Sequence, residues 1–308
     1  MAYLRAFGSW LPERRVTNDE LAPQLGCTSE WILEMSGIRE RRYAAADESV
    51  ATLGLRGAEK CLSNAGIAAS ELGLILVASG SSERFCPGPA SEIAAKLGLT
   101  ATPALDIPVA SAGSLIGLAL ASQLSPQYGR VLVIGAEVMS RRTSLTPEGK
   151  NTAILFGDGA GACLVDANEG PLRIADSLLA TDGSSAEILA VENGQLRMEG
   201  QSVILQAARK LPRAISDLLA RNSVPVDSVE KFILHQANLN LITRVAASLK
   251  APAEKFFTNI DRYGNTSAAS MLIAADEYFS ANPASTGPIV FSAFGAGINW
   301  GALLAVPA

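Results

Sequence analysis

The sequence predicts an α/β protein made of two similar halves, and three observations carry that prediction. Short apolar runs of strand length alternate with helix-length amphipathic stretches along the whole chain. The pattern Phe156–Val165 (FGDGAGACLV) returns as Phe294–Val306 (FGAGINWGALLAV), which points to internal duplication. Of the 308 residues, 48% are hydrophobic and only 18% charged, so much of the chain must be buried. The halves, residues 1–170 and 171–308, each have an ordinary domain size.

Taken in order, Thr17–Glu20 and Thr28–Trp31 read as helix openings, and Gly37–Arg42 (GIRERR) reads as a charged segment near the surface. Ala51–Ala65 is a helix, Leu72–Ala78 a buried strand and Pro89–Leu97 a helix. Asp106–Val109 is a strand end, Ala110–Gly113 a sharp turn of small residues, and Leu115–Leu120 an apolar helix. Arg130–Gly135 is a strand, and Ala153–Val165 reads as a strand pair with a glycine bend. In the second half, Val203–Ala220 is amphipathic helix and Glu230–Leu234 a strand delivering His235. Asn238–Leu249 is a helix, Lys255–Phe257 a short strand, Thr266–Phe279 a helix and Pro288–Phe291 a buried strand. The alternation implies largely parallel sheets covered on both faces, with sites at the C-terminal ends of strands. Ser111, His235 and Gly295 all follow predicted strands.

A net charge of −5 and the absence of a long basic run argue against a nucleic-acid surface. The N-terminus has no apolar signal core, and the uncharged run Ile107–Gly129 carries prolines, serines and glutamines, so it reads as a core helix. No membrane partner is expected. Cys27, Cys61, Cys86 and Cys163 show neither metal-type spacing nor a disulfide framework, so no metal is expected and a reducing cytoplasm fits.

Ser111 lies where a helix N-terminus presents unpaired N–H groups to a small nucleophile, although a serine there is also an ordinary N-cap. His235, the only histidine, sits at a strand end in ILHQAN, placed for acid–base work or buried as a core residue. Asn265, in RYGNTSAAS, is a turn former or N-cap on its own. Phe294–Gly297 offers either a backbone N–H to a ligand or a plain bend.

Together, GIRERR, FGDGAGA, HQAN, YGNTSAAS and FGAGxxWG, with TNDEL and SEWI near the start, resemble the ketoacyl-acyl-carrier-protein synthase III family of the thiolase superfamily over essentially the whole chain. The resemblance implies a duplicated five-layered αβαβα thiolase-like fold, a homodimer, and acyl-coenzyme A and acyl-carrier protein as substrates with no separate cofactor. It implies acyltransferase chemistry in fatty-acid or polyketide biosynthesis. Ser111 falls on the family's nucleophilic cysteine, and His235 and Asn265 on the pair that stabilises the malonyl carbanion. The oxyanion hole would be the N–H groups of Ser111 and Ala296. Trp31 matches the tryptophan stacked on the coenzyme A adenine, Lys150 the arginine across that ring, and Asn238 a residue of the pantetheine tunnel.

Serine needs a base where cysteine does not, and His235, positioned by Asn265, is the candidate for a Ser–His–Asn arrangement. The serine fits a natural serine-type relative, a cysteine enzyme mutated to trap a complex, or a site that now only binds. Met35, Leu205 and Asn240 stand where the family often has basic residues for coenzyme A or the carrier, with Arg39, Arg209, Lys210, Arg244 and Lys250 nearby. The reading is therefore acyl transfer or condensation through acyl-Ser111. The alternatives are acyl transfer or hydrolysis without condensation, and a non-catalytic acyl-coenzyme A-binding partner of an active paralogue.

Overall fold

The computed structural model describes residues 1–308. The first half contains β1 (Tyr3–Trp10), β2 (Arg14–Thr17), α1 (Asn18–Leu25), α2 (Ser29–Ser36), β3 (Glu40–Tyr43), α3 (Val50–Ala65) and β4 (Leu74–Ala78). It continues with α4 (Pro89–Lys96), β5 (Ala104–Ile107), α5 (Gly113–Tyr128), β6 (Arg130–Val138), α6 (Lys150–Ala153) and β7 (Asp158–Asp166). The second half contains β8 (Leu172–Thr181), β9 (Leu189–Glu192), β10 (Gln195–Met198), α7 (Gly200–Arg221), β11 (Lys231–Leu234) and α8 (Leu239–Leu249). It closes with α9 (Ile260–Tyr263), α10 (Ser270–Ala281), β12 (Ile289–Gly295) and β13 (Asn299–Pro307).

Local chemistry sets the boundaries. Thr17 and Thr28 accept from the N–H groups of Glu20 and Trp31 and so cap α1 and α2, while Gly26 and Gly37 end those helices in left-handed conformation. Ser49 and Thr52 form a reciprocal capping box on α3.

Nine strands form one sheet in the order β11-β12-β13-β8-β1-β7-β6-β4-β5, so strands of residues 171–308 hold one flank and strands of 1–170 the other. A central apolar cluster joins α5 and α10 to both flanks: Leu115, Leu118, Met271 and Leu272 pack with Leu76 and Val133 on one side and with Ile233, Phe291 and Leu303 on the other. Outside one flank lie α3 and α4, through Leu53, Ala58 and Ile93. Outside the other lie α7 and α8, through Leu211, Ile215, Leu218 and Val245. The layers therefore run helix–sheet–helix–sheet–helix, as expected.

Four expectations are corrected. The sheet is mixed: β4 pairs in parallel with β5 and β6, and β11 with β12, but β1, β7, β8 and β13 make antiparallel pairs. Tight and non-helical connections such as β12–β13 reverse the chain, which alternation alone does not reveal. Ala153–Val165 is not a strand pair; its start closes the short α6, and only β7 is strand. The charged GIRERR segment does not lie wholly at the surface, because Arg41 is fully buried and donates to Asn18 Oδ1 and the Ile154 carbonyl, each at 2.7 Å. Lys255–Phe257 makes only an isolated bridge, from Phe256 to Phe232.

Candidate active site

The turn between β5 and α5 holds Ser111 at φ 63°, a left-handed conformation rare for a residue with a Cβ. The Ala112 N–H donates to the Ala110 carbonyl across it at 2.7 Å, which makes this a γ-turn of the strained, positive-φ form. Such strain costs about 1–3 kcal/mol and must be held by its surroundings. Helix α5 begins at Gly113 with Ala112 as N-cap and no side-chain cap, so Ser111 is not the capping residue. Gly295 permits the turn: a Cβ there would collide with the Ala110 carbonyl and the Ala112 N–H and crowd the Ser111 Cβ.

His235 follows β11 and is tied to β12 by its N–H on the Ser292 carbonyl at 2.8 Å. Its Nδ1 lies 2.6 Å from Ser270 Oγ, which already accepts the Gln236 N–H at 3.0 Å. Ser270 is buried and its hydroxyl proton has no other acceptor, so it donates to Nδ1 and leaves the proton of the neutral imidazole on Nε2. Burial holds the ring neutral by pushing its pKa down to about 3.

Asn265 is clasped by main chain: its N–H donates to the Leu155 carbonyl (2.8 Å) and its carbonyl accepts from Gly157 (3.1 Å). Its Oδ1 accepts the Ser267 N–H at 2.9 Å, which orients the amide, and one Nδ2 hydrogen reaches the Ala237 carbonyl at 3.3 Å.

A cavity of about 460 Å³ brings Ser111, His235, Asn265 and Asn238 together. Its apolar wall comes from α7 and the β9–β10 hairpin, through Leu189, Leu196, Met198, Val203, Ile204, Ala207 and Leu211. These residues were not singled out from sequence; the apolar stripe of α7 was the one available signal, and it reads equally as core. Asn238 donates from Nδ2 to the Met35 carbonyl (2.9 Å) and accepts from the Asn240 N–H (2.8 Å), joining the end of α2 to the start of α8.

The structure corrects two site expectations. Ser111, His235 and Asn265 make no hydrogen bonds to one another, so the Ser–His–Asn relay is absent, and the Nε2–H tautomer makes His235 a donor rather than a base. The Ser111 N–H is not free for an oxyanion, because it donates to Ser267 Oγ at 3.0 Å. The Ala296 N–H has no partner in the chain, though Ala296 stands outside the cavity lining. Trp31 and Lys150 also stand outside the lining, with Lys150 Nζ 5.3 Å from the Trp31 ring centre.

Family models described as 3-oxoacyl-[acyl-carrier-protein] synthase III, and as the C-terminal part of that enzyme, match residues 105–183 and 219–306. The beta-ketoacyl-[acyl-carrier-protein] synthase III of Oleidesulfovibrio alaskensis is 38% identical over 98% of both chains. This chain belongs to the synthase III family. Among solved structures, 3-oxoacyl-[acyl-carrier-protein] synthase III of Aquifex aeolicus superposes with a TM-score of 0.95 at 33% identity, covering 99% of this chain and 100% of the other. The priming beta-ketosynthase of a polyketide pathway gives 0.91 at 28% identity, covering 100% and 96%. The five layers are thus the thiolase-like fold of synthase III relatives. No helix of this synthase III chain is long and apolar enough to cross a membrane.

Proposed function

We propose that the chain is a synthase III-type condensing enzyme that takes an acyl group from coenzyme A onto Ser111 and extends it with a malonyl-carrier protein. The observation that carries this reading is the cavity floor. Ser111 Oγ faces a space shared with two oriented donors, His235 Nε2–H and Asn265 Nδ2–H. In the first half-reaction Ser111 Oγ bonds to the acyl carbon while its proton passes directly to the departing coenzyme A sulfur as the thioester C–S bond breaks, the leaving thiolate itself serving as base because no side chain does. In the second, the malonyl group loses CO2, its carbanion attacks the acyl ester, and the Ser111 alkoxide is reprotonated from water. His235 and Asn265 stabilise the enolate oxygen by hydrogen bonding, which needs the donor tautomer.

Trp31 and Lys150 hold the coenzyme A adenine in this reading, with the ring inserting between indole and ammonium. The carrier docks on Arg209 and Arg244 rather than on Lys210, which is engaged by Asp182 at 2.8 Å and by the Trp300 ring at 4.0 Å. A second copy pairs with edge strand β5, covering Leu105, which is 54% exposed.

The test is incubation with acyl-coenzyme A and malonyl-carrier protein. The reading expects CO2 and β-ketoacyl-carrier protein in equal amounts; no ketoacyl product contradicts it. The absence of a base on Ser111 Oγ favours, as a second reading, a site that binds acyl-coenzyme A without becoming acylated.

A further inference from the structure

Glu137, on β6, is a fully buried carboxylate that lies outside the reaction described above. It accepts from Ser79 Oγ (3.1 Å), the Gly80 N–H (3.0 Å), Ser81 Oγ, Ser267 Oγ (2.8 Å) and the Ala268 N–H (3.3 Å). Burial pushes the Glu137 pKa up, and the five donors converging on its two oxygens oppose that push and leave both oxygens as acceptors. Ser267 also stands at positive φ, 47°, so two strained residues from opposite halves of the chain meet in the Ser111 N–H···Ser267 Oγ bond. With its hydroxyl proton committed to Glu137, Ser267 Oγ is held as an acceptor for Ser111, while its own N–H holds Asn265 Oδ1.

We propose that Glu137 and Ser267 are positioning residues that clamp the Ser111 turn and the Asn265 amide into one unit. A glutamine at 137 would bring an NH2 group among these donors. Hydroxyls can reverse, but the Gly80 and Ala268 N–H groups cannot, and a Ser267 hydroxyl turned away from position 137 is left with a buried proton that has no acceptor, which drives Oγ out of line with Ser111. Glu137 stands outside the cavity lining and makes no hydrogen bond to Met35, Asn238 or α7, so substrate affinity should be spared.

The inference rests on Ser111 as acyl acceptor, and the test separates the two. Ser267→Gly keeps a backbone suited to φ 47° while removing the hydroxyl; Glu137→Gln is the second variant. With acyl-coenzyme A at saturation, acylation should slow about tenfold in Ser267→Gly and about a hundredfold in Glu137→Gln, as for a misplaced nucleophile, with KM within about threefold. In a Ser111→Cys background, alkylation of the introduced thiol by iodoacetamide should shift its pH midpoint up by about one unit when Ser267→Gly is added, as the thiol leaves its place at the helix N-terminus. Unchanged acylation and an unchanged alkylation midpoint in folded Ser267→Gly would overturn the clamp. If the unmodified chain is not acylated at all, the acyl-acceptor reading fails and the alkylation midpoint alone decides the clamp.

Discussion

Ser270 Oγ lies 2.6 Å from His235 Nδ1 and, by donating its only proton there, makes the sole histidine a hydrogen-bond donor toward the cavity. The roles proposed for His235 follow from that one bond. An imidazole with Nε2–H can stabilise an enolate oxygen but cannot take the proton of Ser111.

Ser270→Ala should therefore lower kcat for malonyl decarboxylation by about 10–100-fold with little change in KM, the order expected when the partner that orients a catalytic histidine is lost. Steady-state kinetics on malonyl-carrier protein check this. In nitrogen-15 spectra of the single imidazole, the Nε2–H tautomer should give way to a mixture in the variant.

The neutral ring also has a stability signature. The unfolded histidine titrates near 6.5 and the folded one at about 3, so between these values the unfolded chain binds the extra proton. This contribution is whole above pH 6.5 and is lost as pH falls toward 3. Asp158, pushed up to about 6 by burial, acts in the opposite direction but is common to parent and variant. Urea midpoints at pH 7 and pH 4.5 should fall further for the parent than for His235→Gln. Equal falls would contradict a neutral buried ring.

If Trp31 stacks on the adenine as proposed, Trp31→Ala should raise KM for acyl-coenzyme A about tenfold, the loss expected for one stacked base, and leave kcat unchanged. Lys150→Ala should raise it about two- to fivefold, in line with an exposed cation–π contact. Initial rates across a range of acyl-coenzyme A concentrations distinguish these from effects on chemistry.

Gly295→Ala should destabilise the fold by about 2–4 kcal/mol, because its Cβ meets main-chain atoms on both sides of Ser111 that cannot move independently. Denaturant unfolding measures this. A near-neutral result would mean that the turn is not packed against β12 as described.

The duplicated α/β layering was legible because strand-length apolar runs and the two glycine-bent endings survive in the one-dimensional pattern. Strand direction was not, since β12 and β13 reverse through a three-residue bend while β4 and β6 run parallel through a crossover. The strand–turn–helix at Ser111 was readable from Ala110–Gly113, and HQAN and GNTSAAS placed His235 and Asn265. The expected Ser–His–Asn contacts do not form, because the groups that engage these side chains lie outside the triad: Ser270 bonds the histidine Nδ1 and Ser267 takes the Ser111 N–H. The burial of Arg41 was hidden for a similar reason. A run of charges looks solvated until Asn18 and the Ile154 carbonyl close around one of them.

The proposed function turns on whether Ser111 accepts the acyl group. Intact mass after incubation with a panel of acyl-coenzyme A donors tests it most directly, with Ser111→Ala as control. One added acyl mass per chain is expected, lost in Ser111→Ala and formed faster in Ser111→Cys; no adduct with any donor would rule out Ser111 as the acyl acceptor.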